Sequence, residues 1–304
     1  MRSLFIWTAL VSGFGTACWA ARCTTAMDDG ALREYQSYVA SVEPAMRSRF
    51  SGAELSWVPD YARKDAASEM AKGKAVRWNL TQPDVNRRMS EWNGAVVHWI
   101  GAIRIRGVGL EELKAVLQDY GRYSSIYRPM IYKWEARRRE TSADAAYDVT
   151  FGLQNTYRAA SVFPQHYSFE VRGRTEYSEQ GSGADTALLV HLNSKEIRES
   201  DSGVPGRDDF LELHHDHGIL WALDTYWRAR RKGADLYSEF ESITLARSVE
   251  DFVCRIGILP VPKAIVQSVM TSIPSESLEL MLAATKAESE RSASRRPPEL
   301  GANR

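Results

Sequence analysis

Apolar positions change their period along this chain, and the changes divide it into three stretches. From residue 28 onward, Ala31, Leu32, Tyr35, Tyr38, Val39, Val42 and Met46 recur three and four residues apart, which predicts an amphipathic helix. From Phe50 to about residue 92, Ser, Gly, Pro and charged residues interleave without period and predict an irregular connector. A period of two takes over at Ala95. Val97, Trp99, Ile103 and Ile105 then alternate with His98, Arg104 and Arg106 until Gly107 and Gly109 end the run. Leu110, Leu113, Val116 and Leu117 form the stripe of a short helix, and a second short helical stretch, 124–127, stops at Pro129.

Strand-like runs follow at 130–139, 147–157, 166–177, 186–199, 218–231 and 236–247, and Lys232-Gly233-Ala234-Asp235 joins the last two as a hairpin. That turn sets Trp227 opposite Phe240 and Arg228 opposite Glu239. Trp221, Leu223, Thr225 and Trp227 then share a face with Ser238, Phe240, Ser242 and Thr244, while Asp224, Tyr226, Arg228, Arg230, Glu239 and Glu241 lie on the other. Pro274 suits a first helical turn, so a last helix is expected from Ile273 to about Glu288, with Leu278, Met281, Leu282 and Thr285 on one side. The order contains no strand–helix–strand alternation. It predicts an α+β protein in which a curved antiparallel sheet of about seven strands wraps a long C-terminal helix and leaves a hollow.

Three segments carry a more specific signal. They are Leu220-Trp221-Ala222-Leu223-Asp224-Thr225-Tyr226-Trp227-Arg228, Glu239-Phe240-Glu241-Ser242-Ile243-Thr244-Leu245-Ala246-Arg247 and Ile273-Pro274-Ser275-Glu276-Ser277-Leu278. With Gln118-Asp119-Tyr120 and Ile126-Tyr127-Arg128-Pro129, they are similar to exported bacterial START-like proteins of unassigned function. That group lies within the helix-grip, START and Bet v 1-like (SRPBCC) superfamily. The resemblance covers roughly 94–288, with Asp224 where the pattern has Asn and Ser275 where it has Arg. It implies an internal cavity for a lipid, sterol-like or polyketide-like molecule. Some members of the superfamily catalyse reactions, so a cyclase- or hydrolase-like enzyme is the second reading and an envelope interaction module the third. The expected cavity wall is Trp99, Trp221, Leu223, Thr225, Trp227, Phe240 and Ser242 from the strands, with Leu278, Met281 and Leu282 from the last helix. A solid core at the same positions is the competing expectation.

Composition narrows the rest. Among 304 residues, 39 Lys+Arg balance 39 Asp+Glu, so no basic surface is in surplus for nucleic acid. Met1-Arg2, an apolar run at 4–11 and the small-residue exit Ala17-Cys18-Trp19-Ala20 have the layout of a secretory signal. Residues 1–20 are therefore expected to be removed and the protein exported, with a lipoprotein as a minor variant. Loss of Arg2 leaves 38 basic against 39 acidic residues. Residues 21–93 read as a helical and irregular N-terminal region, 94–290 as the helix-grip domain and 291–304 as a disordered tail.

Cys23 and Cys254 could pair after export or remain free thiols. The greasy stretch 257–270 is expected to close the open end of the sheet or to touch a membrane transiently. His214-His215-Asp216-His217 is the one dense group of metal-type ligands, but no further ligand is marked nearby, so neither metal nor cofactor is expected. The scattered His98, His166 and His191 read as solvent-facing. No nucleophile elbow, phosphate loop or zinc-protease motif is present, and Glu239 and Glu241 read as partners for Arg228 or Arg230 rather than as an acid–base pair. No catalytic residue and no obligate protein partner is inferred.

Overall fold

The computed structural model describes residues 24–51, 55–140, 145–159, 163–181, 186–248, 255–256, 259–260 and 263–295. Strand β1 (Thr25–Ala26) leads into helix α1 (Asp29–Ser51), where Asp28 caps the first turn by accepting the Gly30 N–H at 2.6 Å. The expected connector contains regular structure: α2 (Asp60–Ala71), β2 (Val76–Asn79) and α3 (Pro83–Met89). Strand β3 (Gly94–Arg106), α4 (Leu110–Gln118) and α5 (Tyr123–Ile126) come next. The long strands are β4 (Ile131–Arg138), β5 (Ala146–Ala159), β6 (Phe163–Gln180) and β7 (Ala187–Glu199). After the two-residue β8 (His215–Asp216), the sheet is completed by β9 (Ala222–Lys232) and β10 (Asp235–Arg247). Two further short strands, β11 (Arg255–Ile256) and β12 (Leu259–Pro260), precede α6 (Lys263–Ser294).

Eight strands form one antiparallel sheet in the order β2-β3-β10-β9-β7-β6-β5-β4. The expected count of about seven misses β2. Four residues are too few for alternation to stand out in a stretch otherwise lacking period, and β2 is held by its pairing, Val76 to Ala102 and Asn79 to Trp99. In the β9–β10 hairpin, Gly233 takes φ +62° at the tip. Arg228 faces Glu239, Trp227 faces Phe240 and Thr225 faces Ser242, the pairing the turn predicts. Helix α6 lies across the concave side of the sheet, in a helix-grip arrangement. It comes so close to β3 that a methyl group on Gly101 would collide with Leu278 and lie 2.9 Å from Leu282.

The helix also begins earlier and ends later than its sequence pattern predicts. It starts at Lys263, with Pro274 inside it, since a proline removes one backbone hydrogen bond without preventing helix on both sides. It continues to Ser294, four residues past the expected tail boundary at 290. The stretch 257–270 thus includes helix, not a loop throughout, and its side chains lie outside those described. Residues 1–20, Cys23, Cys254 and 296–304 also lie outside the described residues. No described helix is long and apolar enough to cross a membrane.

The N-terminal helices cover the convex side of the sheet. Tyr35, Tyr38 and Met46 of α1 and Val85 and Met89 of α3 pack on Tyr226, Ile243 and Leu245. Between the two layers runs a buried polar seam. Arg228 and Glu241, 1% and 0% exposed, form an ion pair, and Arg228 Nε lies 3.5 Å from Glu239. Glu241 also holds His98 Nε2 at 2.7 Å, and His98 Nδ1 is 2.8 Å from the Tyr38 hydroxyl. Farther along, the Tyr35 hydroxyl donates to Asp224 at 2.9 Å, and Asp224 is also 2.8 Å from His191 and accepts from Asn193 at 3.0 Å. His98 is therefore buried and His191 partly so, against the expectation that both face solvent. The alternation placed His98 on the correct side of the sheet, but α1 covers that side.

A charge held this deeply depends on its partner. Glu241→Ala leaves Arg228 buried beside the more distant Glu239 and is expected to cost about 3–5 kcal/mol of stability. The double change Arg228→Met with Glu241→Leu is expected to cost less than Glu241→Ala alone, because it removes both charges. Urea unfolding monitored by circular dichroism measures both, and a Glu241→Ala loss below about 1 kcal/mol would contradict the dependence.

Candidate functional site

The concave face encloses a cavity of about 180 Å³. Strands β9 and β10 supply Leu223, Thr225, Trp227, Phe240, Ser242, Thr244 and Ala246, because alternation turns these side chains away from the charged seam. Val190 and Leu192 of β7 and Phe169, Thr175 and Tyr177 of β6 extend the floor. Pro274, Ser277, Leu278 and Met281 of α6 form the roof. At one end Trp134 stacks on Phe151 with ring centroids 4.3 Å apart and lies parallel to Tyr120 at 5.8 Å. Tyr123 packs against the same indole at 4.5 Å. This aromatic end is held together by its rings, since Trp134, Tyr120 and Tyr123 each touch two or more others and Phe151 stacks on Trp134.

Seven of the ten expected wall residues line the cavity: Leu223, Thr225, Trp227, Phe240, Ser242, Leu278 and Met281. Three do not. Trp221 precedes β9, so strand alternation does not govern it; its indole donates to Asp216 at 2.8 Å and packs with Tyr226 and Leu245 on the convex side. Ile219 and Leu220 reach the cavity in its place. Trp99 has the expected parity but lies on β3, directly beneath α6, and packs into the core around Leu278 and Leu282. Leu282 is fully buried in that same contact. The solid-core expectation thus holds on β3 around Trp99 and Gly101, while the hollow reaches β3 only at Val97 and otherwise lies from β10 toward β4.

Sequence reasoning missed Tyr120, Tyr123, Trp134, Phe151, Phe169 and Tyr177. The alternation of Tyr147, Val149, Phe151 and Leu153 carried a signal for that wall, but nothing in β4 to β6 marks which face is concave until the pairing with β7 is known.

The tyrosines of the wall are tied to the scaffold. The Tyr120 and Tyr177 hydroxyls are 2.8 Å apart, and Tyr177 and Tyr123 each donate to the Leu117 carbonyl at 2.5 Å. Burial raises the pKa of all three hydroxyls far above the ordinary tyrosine range, so they stay protonated at neutral pH. The described lining carries no carboxylate, imidazole, amine or guanidinium.

The histidine-rich segment does other work. His215 and Asp216 pair with Ala26 and Thr25, and Met27 N–H donates to the His214 carbonyl at 2.7 Å, so the segment clasps the start of the described chain. His217 binds Glu199 through Nδ1 at 3.0 Å and its own N–H at 3.1 Å. Among the described residues no three His, Cys, Asp or Glu side chains are placed to hold a metal. Asp216 is buried rather than on the surface, and it accepts from the Gly218 N–H at 2.7 Å and the Trp221 indole at 2.8 Å.

Burial first, and the nearby Glu199 second, raise the Asp216 pKa from 3.8 to about 6. A folded carboxyl that keeps its proton to a higher pH than the unfolded chain loses stability as pH rises between those two values. The loss amounts to about 2–3 kcal/mol above pH 6. Asp216→Asn is therefore expected to raise stability at pH 7.5 by up to that amount, and to flatten the fall between about pH 4 and 6. Urea midpoints across this range test it, and a variant less stable than wild type at pH 7.5 would refute it.

No family model and no curated protein sequence matches the chain. Several solved structures follow a similar backbone course. The STAR-related lipid transfer protein of Xanthomonas axonopodis is 11% identical over 65% of this chain and 94% of its own, with a TM-score of 0.38. The Zhui aromatase/cyclase of a Streptomyces species is 13% identical over 65% of this chain and 95% of its own, at 0.40. Human STARD10 is 14% identical over 80% of this chain and 86% of its own, at 0.37. The fold itself, a curved antiparallel sheet gripping a C-terminal helix, stands on the strand order and register above.

Proposed function

We propose that this protein binds or carries a hydrophobic small molecule in the cavity between the concave sheet and α6. The observation that carries this reading is the cavity itself, about 180 Å³ of space walled by aromatic and aliphatic side chains inside a well-packed fold. Space of this size is left unfilled although a modest enlargement of a few wall residues would close it, and an apolar hollow of comparable volume is enough for a benzene-sized molecule. Burying about 150 Å² of apolar ligand surface contributes roughly 4 kcal/mol before the cost of association, which suits reversible binding. A binding role is favoured over acid–base catalysis because the titratable groups on the described wall are tyrosines held protonated and hydrogen-bonded to the scaffold. Lipid-like cargo, an enzymatic use of the same cavity and membrane contact through 257–270 are finer readings of the same site.

Native mass spectrometry of protein purified without denaturation is expected to show a small-molecule adduct that organic extraction removes. Leu223→Trp fills the cavity floor and is expected to weaken binding of an apolar probe at least about tenfold while the protein remains folded by circular dichroism. Unchanged probe affinity in that variant would sink the reading.

We also propose that the protein is exported and loses residues 1–20. The support for this is the layout of the sequence itself: the basic start Met1-Arg2, the apolar run at 4–11 and the small-residue exit at Ala17-Cys18-Trp19-Ala20. Intact-mass analysis of protein recovered outside the cytoplasm is expected to give a chain starting at Ala21; recovery only in the cytoplasm with Met1 retained would refute export.

A further inference from the structure

One cross-strand row that passes through the cavity floor carries several polar groups without a partner among the described residues. Reading across the sheet from β3, the row runs Trp99, Ser242, Thr225, Leu192 and Thr175. Ser242 and Thr225 face each other on β10 and β9, and both line the cavity. Neither hydroxyl makes a hydrogen bond to a described residue, whereas Thr244, two residues along the same face, donates to the Val97 carbonyl at 3.3 Å. Thr175 Oγ1 and Trp99 Nε1, in the same row, are buried without a partner. Most buried polar groups in folded proteins are hydrogen-bonded. Two facing hydroxyls and Thr175 Oγ1, all on the cavity floor and without a partner among the described residues, therefore call for a physical reason. Trp99 Nε1 continues the row into the core, and Trp134 Nε1 is a further unpartnered donor at the aromatic end.

We propose that this row is the polar contact of the ligand, and that the ligand is a compact neutral molecule whose apolar body carries one hydroxyl or carbonyl. This inference rests on the cavity being a binding site. Hydroxyls opposite each other across an antiparallel pair have Cβ atoms roughly 5 Å apart, so a ligand hydroxyl set between them can accept from one and donate to the other, and a ligand carbonyl can accept from both. The described wall offers an anion no cationic partner, and a carboxylate or phosphate brought into an apolar cavity would lose its hydration without compensation. The apolar body lies toward the Trp134–Phe151 end, where the rings are already stacked and fixed.

The test uses three probes of nearly the same shape: p-xylene, p-cresol, in which a hydroxyl replaces one methyl, and 4-methylbenzoate. Transfer from water favours the more apolar p-xylene, so a merely greasy cavity prefers it. The hydroxyl row predicts the reverse, with p-cresol bound at least about tenfold more tightly by isothermal calorimetry and 4-methylbenzoate bound more weakly than either. The double variant Thr225→Val with Ser242→Ala keeps the floor nearly the same shape. It is expected to bind p-xylene at least as well as wild type, which also reports that it is folded, and to lose the preference for p-cresol. If wild type binds p-xylene as tightly as p-cresol, if the double variant keeps the preference, or if 4-methylbenzoate binds as well as p-cresol, the neutral polar contact is overturned while the cavity reading stands. If none of the three binds wild type, the cavity reading itself fails.

Discussion

The ion pair between Arg228 and Glu241 fixes which side of the sheet is which. Both side chains belong to the β9–β10 hairpin, and both point to the convex side. Because side chains alternate strictly along a strand, a shift of one residue would turn Arg228 and Glu241 into the cavity and put Trp227 and Phe240 under α1. Burial of two charges makes that shift very costly. The glycine at the hairpin tip and the ion pair, with Arg228 five residues before it and Glu241 eight after it, therefore act together: the turn proposes a register and the charges reject its neighbours. The concave wall at Leu223, Thr225, Trp227, Phe240 and Ser242 exists because the charges occupy the alternate positions.

The same constraint explains the N-terminal helices. A sheet whose outer face carries Asp224, Arg228 and Glu241 could stand open to water, yet α1 lies across it and supplies partners in place of water. Tyr35 binds Asp224, and Tyr38 reaches Glu241 through His98. Isolated charges under a helix would cost several kcal/mol each, whereas a chain of hydrogen bonds from helix to sheet leaves each of these groups with a partner. Such a seam adds less to net stability than an apolar interface of equal area, but it admits few alternative positions for the helix. The N-terminal region is thereby held as an integral layer of the fold: helix, polar seam, sheet, cavity, helix.

How much of this was legible in the sequence follows from what alternation can and cannot report. Long strands with clear period two, such as β3 and β10, were readable to within a residue or two, and the hairpin register came from the turn alone. The fold class followed from strand order and from the local resemblance. Alternation says that two sets of residues lie on opposite faces; it does not say what covers either face. His98 was placed on the correct face and given the wrong environment because α1, whose Tyr38 is 60 residues away in sequence, supplies the cover. Trp221 was misplaced for a local reason: it stands just before the strand begins, and its indole is drawn to Asp216. Trp99 and Leu282 show a third limit, since the difference between core and cavity wall depends on where α6 touches the sheet, and Gly101 permits the closest approach there.

That closest approach also accounts for the position and shape of the hollow. Helix α6 is seated on β3 at Gly101, where Leu278 and Leu282 fill the space around Gly101 and Trp99 and bound the cavity on that side. The sheet curves, and the helix cannot follow it equally closely along its whole width. The gap opens toward β9, β7 and β4, where Trp134, Tyr120 and Tyr177 form a far wall that the rings and the Leu117 carbonyl keep from collapsing inward. One glycine and one tied aromatic cluster thus set the two ends of the cavity. Between them lies the row of Ser242 and Thr225, on the same two strands whose other face is pinned by Arg228 and Glu241. The charged seam and the uncharged hollow are two consequences of one hairpin register, seen from opposite sides of the sheet.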